Sequence, residues 1–174
     1  MRAYHFVKRK TLKAIQKSGF LQPTTSFFQD AEDKRLYGEP VGVFRKATLG
    51  KYTCAIPKSR FHSWIKSRFT QELEFFFKPK YVLEFNIPPG LHFVREHVMT
   101  SPVAMQKLGV KWFREVPRKQ KLAIWKRYLK SSKRLSNKVK FRGIKVPELW
   151  VAAKVPMSSV KVITIAQFKR KTSW

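Results

Sequence analysis

Acidic residues are scarce in this chain and cysteine is nearly absent. Ten Asp and Glu stand against thirty-eight Lys and Arg, a formal charge of +28 over 174 residues. A single cysteine, Cys54, excludes an intramolecular disulfide and a cysteine-based zinc site, and suits a reducing compartment. It reads as a small buried apolar residue rather than a catalytic thiol, since no Cys/His arrangement lies near it. No apolar run approaches the ~20 residues of a membrane span. The basic start MRAYHFVKRK also lacks the ~7–15-residue apolar stretch of a secretory signal. The expectation is a soluble, cytoplasmic protein with no membrane partner. His5, His62, His92 and His97 make no HExxH pattern, so no metal is expected. Neither GxxxxGK[ST] nor GxGxxG occurs, and no nucleophile elbow is present.

What is present is positive charge spread through almost every segment, with a pI near 10.7. Solubility alone asks for a net charge of only about 2–8 in a small domain. The excess implies a polyanionic partner and is the electrostatic footprint of a nucleic-acid binder. Hydrophobic residues make up 43% and aromatics 14%, which a disordered basic tail would not carry. The length suits a single domain spanning residues 1–174.

The local patterns predict short strands with helices between them, an α+β fold. Residues 3–7 read as a strand. Thr11 to Gly19 reads as a helix, with Thr11 as N-cap, Leu12 and Ile15 sharing a face, and Gly19 as the stop. Residues 24–40 read as a loop holding four of the ten acids. Gly42–Phe44 reads as a short strand and residues 57–69 as an aromatic, basic helix with Phe61, Ile65 and Phe69 or Trp64 at helical spacing. Strands are expected at 72–77, 81–87 and 92–98, and a short helix at 102–108. Residues 118–142 contain eleven Lys or Arg and no acid, and Leu122, Trp125 and Leu129 give a helical stripe. A basic helical insertion is therefore expected at about 116–143. Strands follow at 148–151 and 160–165, then a mobile basic tail at 166–174.

Four short signals carry the functional reading. Tyr4-His5-Phe6 precedes a helix ending in Gly19-Phe-Leu-Gln-Pro23. Tyr37-Gly38 comes next, with Gly42-Val-Phe44, and then Tyr81-Val-Leu-Glu-Phe-Asn-Ile-Pro88. The last is Val146-Pro-Glu148-Leu-Trp-Val, running on through Val155-Pro156 to Val160-Lys-Val-Ile163. In this order, across residues 4–163, the chain resembles the ADP-ribosyltransferase superfamily, in particular its small bacterial and phage toxin-like, nucleic-acid-targeting members.

The resemblance implies a split, mixed β-core that grips NAD⁺ as co-substrate. It implies that His5, with Tyr4 beside it, binds ribose hydroxyls, and that Tyr37, Phe44 or Tyr52 stacks on nicotinamide. No Tyr follows Val43-Phe44 in the usual place, and the resemblance offers Arg45 for an NAD-phosphate role instead. Glu148 would be the catalytic acid, hydrogen-bonding the nicotinamide ribose and stabilising positive charge as the glycosidic bond breaks. Val7 stands where many members have Thr. Blander roles stay open: a strand histidine with one backbone hydrogen bond for His5, and a salt bridge to Lys145 or Lys154 for Glu148. Glu84, in mid-strand, reads as structural or solvent-facing.

The basic segments would hold the acceptor. Lys58, Arg60, Lys66 and Arg68 form one group. Arg118, Lys119, Lys126, Arg127, Lys130, Lys133 and Arg134 form another, interleaved with Trp125 and Tyr128, a mix that neutralises phosphates and stacks unpaired bases. Chemistry on a base favours a single-stranded substrate, RNA or DNA. The expected function is thus NAD-dependent transfer of ADP-ribose to nucleic acid by a toxin or defence effector, with an acidic antitoxin or inhibitor protein as a further partner. The alternatives are a non-enzymatic RNA- or DNA-binding protein and an RNA 2′-phosphotransferase-like enzyme of the same fold.

Overall fold

A computed structural model describes residues 1–23, 52–66, 77–90, 92–96, 116–117, 119–120, 133–135, 141, 144 and 146–174. The chain opens with strand β1 (Arg2–Val7), helix α1 (Arg9–Ser18) and the short strand β2 (Phe20–Leu21). Strand β3 (Thr53–Pro57) runs through a 3-10 turn into helix α2 (Phe61–Lys66). Strands β4 (Tyr81–Asn86), β5 (His92–Glu96), β6 (Lys133–Arg134), β7 (Pro147–Val151), β8 (Val155–Pro156) and β9 (Val160–Thr164) follow. Helix α3 (Ile165–Thr172) closes the series.

Seven strands form one sheet in the order β6-β5-β7-β3-β1-β4-β9, and β2 pairs with β8 in a small second sheet. Every pairing among the described strands is antiparallel. The α+β class is as expected, but the expected mixed core is corrected to an antiparallel one. Strand β1 zips against β4 along its whole length, from Arg2↔Asn86 to Val7↔Tyr81. Its other edge meets β3 only at Ala3↔Pro57 and Tyr4↔Ile56. Strand β3 then turns its remaining residues, Thr53–Ala55, to β7. The two halves of the sheet are therefore joined at one end of β3 and part beyond Tyr4.

Both faces of the central strands are buried, which is why those strands lack a clean polar alternation. On one face Ala3, Val7, Ala55, Leu83, Phe85, Val94, Leu149 and Val151 pack with Leu12 and Ile15 of α1. On the other Tyr4, Phe6, Ile56, Val82 and Ile163 pack with Phe61 and Trp64 of α2 and Phe168 of α3. The Trp64 indole Nε1 donates to the Pro147 carbonyl at 2.9 Å and ties α2 to β7.

Helix α1 begins two residues before the expected Thr11. Lys8 precedes it without a side-chain cap, and the Leu12 N–H bonds the Lys8 carbonyl at 3.0 Å. Cations in a first turn oppose the helix dipole, so burial of Leu12 and Ile15 holds this helix rather than its cap. Gly19 does end it, with φ 74°, a conformation glycine adopts without steric penalty.

Two further expectations are corrected. Lys133 and Arg134, placed in a basic helical insertion, form the edge strand β6 against Phe93 and Val94. The tail expected to be mobile is helix α3. Thr164 caps it through a reciprocal capping box with Gln167, and Phe168, 1% exposed, anchors it. Trp174 lies edge-on to Phe6 at a centroid distance of 5.5 Å. The expected elements at 24–44, 72–76 and 102–108 lie outside the described residues, as does the stripe Leu122, Trp125 and Leu129.

Candidate functional site

The place where β1 and β3 part is built around His5. Its Nδ1 lies 2.7 Å from the Cys54 carbonyl oxygen. A carbonyl only accepts, so the hydrogen is on Nδ1 and this side chain takes the acceptor that a ladder N–H would otherwise use. Burial pushes the His5 pKa below its ordinary value, and the hydrogen bond to Cys54 offsets this in part. The ring is neutral, leaving Nε2 as an acceptor with no hydrogen bond among the described residues. This geometry serves a ligand hydroxyl well.

The depressed pKa has a stability consequence. The unfolded chain binds more protons than the folded one between the lowered value and about 6.5. The His5 contribution is therefore full above about pH 6.5 and is lost as pH falls below it. Thermal melts between about pH 7 and pH 5 should show a smaller loss of Tm in His5→Gln than in the parent. An equal loss in both would remove His5 from the acid response.

Cys54 links His5 to the second candidate group. Its carbonyl meets His5, and its Sγ donates to Glu148 Oε1 at 3.0 Å. The Trp150 indole Nε1 donates to the same oxygen at 2.8 Å. The carboxylate, 5% exposed, is thus oriented by two donors from β3 and β7. Trp150 is in turn held flat against Tyr52, with centroids 3.7 Å apart and planes 10° from parallel. The sequence singled out His5 and Glu148 but missed Cys54 and Trp150. The one available signal was the i, i+2 spacing of Glu148 and Trp150 on a strand.

His5 and Glu148 approach Cys54 from opposite sides. Alternation along β1 sets His5 with Ala3 and Val7, while Glu148, Cys54 and Trp150 share the Tyr4 face. Tyr4 packs edge-on against Phe61 and Phe168 at 5.6 and 4.8 Å, so it serves the core rather than flanking His5. Burial raises the pKa of its phenol and nearby Lys58 opposes that shift. Tyr52, 3% exposed and covered by Trp150, is closed as a nicotinamide platform in this conformation. Tyr37, Phe44 and Arg45 lie outside the described residues.

The basic candidates separate. Arg60 turns inward, its Nη2 donating to the Ile144 carbonyl at 2.8 Å, and acts as a tie. Lys58 reaches Glu84 at 2.6 Å, and that hydrogen bond raises the lysine pKa. Glu84 thus has the structural role read from its position. Lys66 and Lys119 are exposed, and exposed Lys133 and Arg134 lie on the sheet edge opposite β9. Arg68, Arg118, Lys126, Arg127 and Lys130 fall outside the described residues. The basic groups therefore do not converge on one described patch. Lys154 sits 5.9 Å from the Phe20 ring centroid, a cation–π contact.

His92 has a structural use. Its Nε2 lies 2.7 Å from the Pro88 carbonyl oxygen, and its Nδ1 accepts from the Ala152 N–H at 3.2 Å, pinning the 88–90 turn to the end of β7. Among the described residues no group of His, Cys, Asp or Glu is arranged to hold a metal. None of their helices is long and apolar enough to cross a membrane. No family model, curated protein or solved structure matches the chain.

Proposed function

We propose that this chain is an NAD⁺-dependent ADP-ribosyltransferase whose acceptor is a single-stranded nucleic acid, acting as a toxin or defence effector. The observation that carries the reading is the arrangement around Cys54. A neutral histidine whose Nε2 has no hydrogen bond among the described residues, and an oriented carboxylate, flank one residue where the sheet divides. The four ordered signals that resemble the superfamily supply the chemistry, and the charge of +28 supplies the acceptor class.

In this reading the bond between nicotinamide N1 and ribose C1 breaks, and its electron pair leaves with nicotinamide. A nucleophilic atom of the unpaired base attacks C1 and gives up its proton to solvent water. The transition state carries positive charge on the ribose. A carboxylate already held in place by Trp150 and Cys54 stabilises that charge without reorganising. His5 Nε2 accepts from a ribose hydroxyl and fixes the sugar.

Thermal shift tests the first step. A ligand at a hundredfold its Kd stabilises by about 2.7 kcal/mol, so NAD⁺ should raise Tm, and His5→Ala should shrink the rise. Absence of any shift at millimolar NAD⁺ would contradict the proposal. The second reading, a nucleic-acid-binding protein without catalysis, is favoured by the 5% exposure of Glu148 and the covered ring of Tyr52. It predicts salt-sensitive strand binding that NAD⁺ leaves unchanged.

A further inference from the structure

Away from Cys54, the closing helix builds a basic groove on the other edge of the sheet. Strand β9 pairs with β4 so that Lys161 stands opposite Glu84. Helix α3 then folds back over the sheet on Phe168 and carries Lys171 in its last turn. Between them lies a cavity of about 460 Å³ whose walls include Arg2, Lys58, Lys161 and Lys171 around Glu84. That volume falls in the range of small-ligand sites, about 300–1,000 Å³.

The charges are unevenly used. Glu84 is shared by Lys58 at 2.6 Å and Arg2 at 3.7 Å. Lys161 and Lys171 are exposed and make no ion pair among the described residues. Four cations therefore face one carboxylate that already engages two of them. Confining cations of one sign in a concave site raises the local concentration of anions. Asn86 and Ser159 add polar groups at the wall. Tyr4 and Phe168 are too buried to stack a base, so the groove suits a backbone phosphate better than a base.

We infer that the groove between β9 and α3 binds the phosphodiester backbone of the acceptor strand, with Lys161 and Lys171 as the phosphate contacts and Glu84 as an internal counter-ion that weakens binding. This rests on the nucleic-acid reading above and adds a site to which the basic residues singled out in the sequence contribute only Lys58. Glu84 makes the inference distinctive, because removing it leaves the phosphate contacts intact and frees Lys58 and Arg2.

Fluorescence anisotropy with a labelled 12-mer single-stranded oligonucleotide, at salt from about 50 to 200 mM, tests it on the full chain. Lys161→Ala/Lys171→Ala should weaken binding roughly three- to tenfold and lower the log–log salt slope by about 1.4, near 0.7 per lost phosphate contact. Glu84→Gln should strengthen binding roughly threefold. The two lysines are surface residues, so the double variant should keep the parent's melting temperature; Glu84→Gln is read only if it does the same. Unchanged affinity and slope in the double variant, with the parent binding tightly, overturns the groove and leaves the nucleic-acid reading standing. If the parent binds no strand, both fail. Binding to anionic vesicles lost in the double variant, with strand binding intact, also overturns the groove.

Discussion

Glu148→Gln should lower ADP-ribosyl transfer by about 10²–10³-fold, the loss seen when one preorganised group is removed from a developing charge. The variant keeps an oxygen where Trp150 Nε1 and Cys54 Sγ donate at 2.8 and 3.0 Å, so the site should stay folded. The substitution removes the charge and exchanges the other oxygen for an N–H donor, and in the proposed reaction the charge is what the transition state requires. Glu148→Ala differs, because it removes the oxygen to which the Trp150 indole donates at 2.8 Å. Stranding that buried donor costs about 1–3 kcal/mol in stability. Single-turnover transfer from labelled NAD⁺, alongside a thermal melt of each variant, separates the two effects. Unchanged transfer in a folded Glu148→Gln protein would remove Glu148 from the chemistry.

Phe168→Ala should be the most destabilising change at the C-terminal end, by about 3–5 kcal/mol. Phe168 is 1% exposed and meets Tyr4, Phe6, Phe61 and Trp174 at centroid distances of 4.8, 5.6, 5.0 and 6.0 Å. It holds α3, whose other residues carry no comparable anchor. Loss of the ring should release the helix, raise hydrogen exchange across Ile165–Thr172, and open the groove that Lys171 lines. Urea denaturation gives the magnitude. A loss below about 1 kcal/mol would mean that α3 is held by its Thr164–Gln167 cap and not by packing.

The sequence made two of the longer strands and the first helix legible. Tyr81–Asn86 and Val160–Thr164 are rich in β-branched and aromatic residues, and α1 has its apolar pair and its glycine stop. The buried acid at the head of β7 was also visible, because Glu148 is the one carboxylate after residue 115. Three things were not. Strand β3, Thr-Cys-Ala-Ile-Pro, is buried at every position and so shows no alternation. The two-residue strand β6 forms only because β5 is there to pair with it, and local sequence carries no mark of such a contact. Helix α3 reads as a basic tail because its one large buried side chain is Phe168, a tertiary anchor without a repeating stripe.

The candidate site was half legible for the same reason. His5 and Glu148 stand out by residue type. Their placement on opposite sides of Cys54 depends on where β1 stops pairing with β3, which is a property of register. The aromatic expected to stack on nicotinamide illustrates the limit. Tyr52 has the right chemistry, but Trp150 already covers its ring.

Label transfer from NAD⁺ decides whether the chain modifies nucleic acid. The full chain is incubated with NAD⁺ labelled in its adenylate half and with separate pools of RNA, single-stranded DNA, duplex DNA and protein. Label is expected in a single-stranded nucleic-acid pool, and Glu148→Gln should abolish it. Label in the protein pool alone, or in no pool while the chain still binds polynucleotide, would contradict the proposal.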